Sequence, residues 1–307
     1  MDLAFIAVEK IAEMFLIILV GVMAFRWKII DSNANKKLSG ILLKIVTPAM
    51  IFMAYQIDYQ PERLKGLIIT FFISLASFVW VILLAKALIR PGKGGDMAIE
   101  RFSAIYSNAG FMGIPLVNGI LGTEGVFYLT AYITAFNLIV WSHGLSLMCG
   151  IMDGKGVLKN FFQPATIAIG LGIVCFLFRV RLPDMVVNPI KMMGDMNTAL
   201  AMLIAGCNLA ESNLLGAMKK GRTYGVCFMK LILIPLASVL LLSWIPVERI
   251  YRLTVLVAIS CPTAAMGTMF ALQYNKDSNY ASELFTVSTL LSLLTIPFAV
   301  LLGGWLL

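Results

Sequence analysis

Long apolar runs dominate this 307-residue chain, and they constrain its fold more than anything else. Ten can be marked, at about Phe5–Phe25, Leu38–Ile57, Leu64–Ile89, Ile99–Leu121, Val126–Cys149, Phe161–Phe178, Met185–Leu209, Tyr224–Ile245, Tyr251–Gln273 and Tyr280–Leu307. A membrane-spanning helix needs roughly 20 apolar residues, so the runs fill the chain and leave no room for a water-soluble domain. Only 13% of residues are charged and 60% are hydrophobic, whereas a soluble domain carries about 25% charged residues. Soluble enzymes and disordered chains are excluded on that ground. The runs lack the period-two alternation of an outer-membrane barrel. Helix is the expected state, because backbone groups in lipid must be satisfied within their own segment. No cleavable leader is expected at Met1–Phe25, which lacks a basic start and a small-residue cleavage site.

The net charge of +8 follows from basic residues in the connections, which suits membrane orientation better than nucleic acid. Alternate connections carry 14 Lys and Arg on one side, from Arg26 and Lys28 to Lys276, against 8 on the other, from Lys10 and Arg63 to Arg252; Lys44 and Lys230 lie inside spans and complete the 24. The richer side is expected to be cytoplasmic and both termini extracytoplasmic. A polar hinge at 153–159 separates five runs (1–152) from five more (160–307). An odd number per half gives the halves opposite orientation, the geometry of an inverted repeat. Echoes in matching order support it. Spans one and six end similarly, as Gly21-Val22-Met23-Ala24-Phe25 and Gly172-Ile173-Val174-Cys175-Phe176. Spans two and seven carry Thr47-Pro48-Ala49 and Asn197-Thr198-Ala199. Spans four and nine are both interrupted, and spans five and ten both carry a polar stripe.

The interruptions carry the functional argument. Span four contains Ser107-Asn108-Ala109-Gly110-Phe111-Met112-Gly113-Ile114-Pro115, and span nine contains Ser260-Cys261-Pro262-Thr263-Ala264-Ala265-Met266-Gly267. Proline removes an N–H and clashes with the carbonyl four residues back, and glycine weakens helix. Either break alone is compatible with a kinked packing helix. Breaks in corresponding spans of both halves point to a transporter's midplane site, where freed backbone groups and half-helix N-termini meet an anionic substrate.

The string Asn108-Ala109-Gly110-Phe111-Met112-Gly113-Ile114-Pro115-Leu116, followed by Gly122, resembles the fourth-helix motif of the auxin efflux carrier family. That family includes plant PIN carriers and bacterial malonate and malate permeases. Pro262, Phe270-Ala271 and Tyr274-Asn275 resemble its ninth-helix motif, and Pro48 and Gly194-Asp195 also fit. The resemblance covers nearly the whole chain. It implies an all-α polytopic membrane protein related to sodium/proton antiporters and bile-acid symporters. Ten helices would form two inverted five-helix repeats, with broken helices four and nine crossing in a transport domain. It further implies a homodimer, elevator-type movement and a bacterial cytoplasmic-membrane location. Plant members carry Pro where this chain has Ser107 and Gln where it has Thr263, which argues against aromatic auxin as substrate. The short hinge replaces the long cytoplasmic loop of many plant members.

Candidate substrate-binding residues are Ser107, Asn108, Gly110, Pro115, Cys261, Pro262 and Thr263 at the breaks, with Tyr132 and Asn137 in span five. Thr130, Thr134, Asn137 and Trp141 recur on one helix face. The stripe Ser288, Ser292, Thr295 in span ten reads as interhelical hydrogen bonding. Lys44 and Lys230 both lie about two turns from the cytoplasmic ends of their spans, a depth from which lysine snorkels. Lys44 facing a cavity would instead offset substrate charge. Asp195 is either a buried proton or cation group or an interfacial residue near Lys191. His143 reads as a structural histidine. The five cysteines have no metal or redox spacing. No cofactor is expected, and the coupling ion, H+ or Na+, is not legible. The expected function is a secondary permease for a small organic anion, a mono- or dicarboxylate. The competing class is an intramembrane enzyme, a hydrolase or lipid-modifying protein, against which one histidine and the lack of HExxH and GxSxG speak.

Overall fold

Every regular element is a helix among the residues that the computed structural model describes, 3–91, 95–150, 163–211 and 221–307. The hinge at 153–159 lies outside them. The helices are α1 (Leu3–Arg26), α2 (Ser32–Ala54), α3 (Pro61–Leu88), α4 (Met97–Ile105), α5 (Ala109–Cys149), α6 (Pro164–Leu177), α7 (Asp184–Asp195), α8 (Asn197–Glu211), α9 (Gly221–Ser243), α10 (Arg249–Ser260), α11 (Met266–Gln273) and α12 (Ser278–Leu306). Of these, α2, α3, α5, α9 and α12 are long and apolar enough to cross a membrane. Large apolar side chains on their outer faces stay exposed, among them Phe72, Leu83, Leu240 and Leu294, as suits a surface facing lipid rather than water. The interior is aromatic, with Tyr55, Phe78, Phe102, Tyr106, Phe127 and Phe270 buried in one continuous core.

Proline and glycine set the local irregularities. The π-type turns Leu42–Val46, Ala109–Gly113 and Met229–Leu233 each run into a proline two residues on, Pro48, Pro115 and Pro235. Proline cannot donate to the carbonyl four residues back, and a wider turn accommodates the missing bond. The apolar runs called spans four and five are joined inside α5 by a bend at Gly122, φ 67° and ψ −166°. That backbone region is essentially open to glycine alone. Span seven divides at Met196 into α7 and α8.

Close backbone approach holds α1 on α8. A Cβ on Gly21 would lie 2.2 Å from the Leu203 carbonyl oxygen, and one on Gly206 would lie 2.1 Å from that of Ile18. Small residues permit such contact between membrane helices. Beside them, buried Thr47 of α2 donates to Asn197 Oδ1 of α8 at 2.8 Å. These are the two polar interruptions that echo between spans two and seven.

Candidate functional site

The two proline- and glycine-rich breaks meet. Between α4 and α5, and between α10 and α11, the chain is extended, and the two stretches pair as an isolated antiparallel bridge, Ser107 opposite Thr263. The Asn108 N–H donates to the Pro262 carbonyl at 2.7 Å, and the Ala264 N–H donates to the Tyr106 carbonyl at 2.9 Å. Each break thus satisfies part of the other's freed backbone, which is what unwound chain at membrane depth requires. Cys261, Pro262, Thr263 and Ser107 are buried, and Asn108 is 6% exposed.

Two half-helices begin at the crossing, α5 and α11. Their first-turn N–H groups at Gly110 and Phe111, and at Ala265 and Met266, have no acceptor among the described residues. The side-chain amide of Asn108, 6% exposed, makes no hydrogen bond among the described residues. A Cβ placed on Gly110 meets nothing within 4 Å, so this end of the crossing is open. Free N–H groups, a neutral amide and the positive end of a helix dipole converge there, an arrangement suited to a carboxylate. Pro115 is buried one turn further along α5.

Side chains from α9 and α12, and from further along α5, brace the crossing. Thr263 donates through Oγ1 to the Ser103 carbonyl at 3.0 Å, and its N–H donates to Ser288 Oγ at 3.2 Å. Ser288 therefore belongs to the helix-joining role read for its stripe. The Tyr106 hydroxyl lies 2.8 Å from His143 Nδ1, which makes His143 a structural partner of the first break. Lys230 reaches in from α9. It is 0% exposed, and its Nζ donates to Ser107 Oγ at 2.6 Å. The snorkelling reading of Lys230 is thereby corrected. Depth alone predicted water, but this lysine points inward on its helix.

Tyr132 is buried against Ser107 and stacks on Phe78 at 5.1 Å. Asn137 is buried and donates to Thr166 Oγ1 of α6 at 3.3 Å, away from the bridge. Thr130 bonds the hydroxyl of Tyr55, the residue that follows α2. Lys44 and Asp195 do not join the crossing. Lys44 is exposed on the outer face of α2. Asp195 is exposed and pairs with Lys191 one turn back at 2.7 Å.

Two charged clusters had no sequence signal beyond a charge at the mouth of an apolar run. Glu100 of α4 is 0% exposed and takes Arg222 of α9 on both oxygens, with the Tyr280 hydroxyl of α12 at 2.8 Å. At the ends of α2 and α6, a 230 Å³ cavity is lined by Tyr55, Asp58, Tyr59, Arg179 and Arg181. There Arg181 pairs with Asp58, and Arg179 lies over the Tyr59 ring at 4.9 Å.

A family described as membrane transport protein matches residues 6–154 and 148–300. An uncharacterized transporter of Methanocaldococcus jannaschii is 24% identical over 98% of this chain and 99% of its own length. Another, from Methanothermobacter thermautotrophicus, is 25% identical over 94% of this chain and 96% of its own. The chain is a multi-pass membrane protein and not an enzyme, and it belongs to the membrane transport protein family, the auxin efflux carrier family that its fourth-helix motif resembles.

Proposed function

We propose that the protein is a secondary permease that moves a small organic anion, a mono- or dicarboxylate, across the bacterial cytoplasmic membrane. The observation that carries this reading is the crossing itself. Two extended breaks pair at Ser107 and Thr263, and four free N–H groups and the Asn108 amide stand at the starts of α5 and α11. Such a site holds negative charge with fixed dipoles. The open space over Gly110 leaves room for a ligand.

The sequence halves support a layout of two inverted five-helix repeats. Helices α1, α2, α6, α7 and α8 would form the scaffold, and the crossing would ride in the remainder. The tight glycine seam between α1 and α8 suits a rigid scaffold. Rigid-body motion of the crossing against it is the elevator movement that the family resemblance implies, within a homodimer. The basic bias supports extracytoplasmic termini. On this topology the cavity at the ends of α2 and α6, lined by Arg179, Arg181 and Asp58, opens outward.

Uptake into proteoliposomes tests the proposal, with a panel of labelled mono- and dicarboxylates under imposed pH and sodium gradients. Saturable uptake of at least one carboxylate is expected, and competition among structurally related acids should follow. Uptake of none of them, alongside robust transport of a neutral or cationic solute, would overturn the anion assignment. Labelling of single cysteines from outside intact cells tests orientation, with Lys65→Cys reactive and Gly156→Cys protected.

A further inference from the structure

Half-helices at a crossing have two kinds of end. Their N-termini suit an anion, while their C-terminal carbonyls attract a cation. In transporters with broken helices, unwound carbonyls and half-helix C-termini are where a coupling Na+ or H+ binds. Here the C-terminal ends of α4 and α10 lie at the bridge, and both are already capped. The Thr263 hydroxyl caps the Ser103 carbonyl of α4. At α10, the Ile259 carbonyl accepts from Ser107 Oγ at 3.0 Å and from Lys230 Nζ at 3.4 Å, and Lys230 also bonds Ser107 Oγ at 2.6 Å.

Lys230 is fully buried, and no carboxylate among the described residues pairs with it. Its neighbours at the crossing are hydroxyls, carbonyls and the Cys261 thiol. A buried ammonium with no counter-charge is expensive. What offsets that cost here is the negative end of the α10 dipole, together with the Ser107 and Ile259 oxygens. Those are the ligands a small metal cation would otherwise claim.

We infer that the Lys230 side chain is a resident cation, seated between Ser107 and the Ile259 carbonyl where a coupling metal ion would bind, so that transport by this protein needs no sodium. The inference rests on the permease reading. It adds that the charge which holds the two breaks together is covalently attached and travels with the crossing. It also separates the two lysines of the apolar runs, since Lys44 lies outside on α2.

Two experiments decide it. First, carboxylate uptake into proteoliposomes is measured in equal concentrations of sodium, potassium and choline chloride. Wild type should be insensitive to the choice, and Lys230→Met, which keeps the bulk and loses the charge, should fall by about tenfold or more, the scale of a lost charge-assisted hydrogen bond. Wild-type uptake that requires sodium would overturn the inference and leave the permease reading intact. So would full activity of Lys230→Met. Second, thermal unfolding of purified Lys230→Ala is followed in propylammonium, sodium and choline chloride. This arm reads the seat without transport, so it still decides the matter if no carboxylate is carried. The variant should melt below wild type and be restabilised by propylammonium or sodium but not by choline, while wild type responds to none. A variant that melts with wild type, or that no small cation restabilises, would refute a cation seat at this position.

Discussion

The Glu100–Arg222 pair makes an asymmetric prediction. Glu100 is 0% exposed and accepts from Arg222 and from the Tyr280 hydroxyl, whereas the Arg222 side chain is 28% exposed and also donates to the Arg90 carbonyl at 3.0 Å. Arg222→Met leaves a buried carboxylate whose one remaining donor among the described residues is the Tyr280 hydroxyl. Breaking a buried pair in this way costs about 3–5 kcal/mol. Glu100→Gln keeps an acceptor for Tyr280, and the released guanidinium retains the Arg90 carbonyl and part of its hydration. The loss is then that of a charge-assisted bond, about 1.5–3 kcal/mol. The double variant Glu100→Gln, Arg222→Met buries no charge and should be more stable than Arg222→Met alone. Equilibrium unfolding in mixed micelles measures all four proteins. The reasoning fails if Glu100→Gln costs as much as Arg222→Met, or if the two losses simply add. Either outcome would mean that the carboxylate does not depend on Arg222 for its charge. The pair matters for function because it ties α4, which delivers Ser107, to α9, which delivers Lys230.

Three further predictions follow from the crossing and its scaffold. Asn108→Ala and Gly110→Ala should both cut transport while leaving the melting temperature near wild type, since the Asn108 amide bonds no other described residue and a methyl on Gly110 meets nothing within 4 Å; unchanged uptake in both would remove this face from the substrate site. Pro115→Ala and Pro262→Ala should lower transport sharply, and Pro115→Ala should do so even though it relieves a proline inside α5, which costs roughly 3 kcal/mol in a helix, whereas Pro262 lies in the extended stretch between α10 and α11; paired melting and uptake measurements that show two fully active proteins would refute the crossing as a working site. Gly206→Val should destabilise by about 1–3 kcal/mol or more through overpacking, because its Cβ would lie 2.1 Å from the Ile18 carbonyl oxygen; a melting temperature equal to wild type would show that α1 and α8 can separate freely.

Class and secondary structure were legible in the sequence because they depend on local chemistry. Apolar runs long enough for a bilayer force helix. The places where helix fails are marked by proline and glycine, so the breaks at Asn108–Pro115 and Cys261–Gly267 could be read residue by residue. Even the family followed from such a string. Facing was not legible, because it is set by helices far away in the chain. Lys44 and Lys230 lie at similar depths in similar apolar runs, and snorkelling was an equally good account of both. Only the packing of α9 against residues 123 positions away turns Lys230 onto Ser107, while Lys44 stays outside. The same holds for Asp195, whose local string fits either a buried or an exposed carboxylate, and which the fold leaves exposed beside Lys191. It holds again for Glu100 and Arg222, 122 residues apart, which sequence could count only as charges at the mouths of two spans. Periodicity in a helix that is apolar on every side carries no direction. Which side meets lipid and which meets a partner was decided by the tertiary contacts alone.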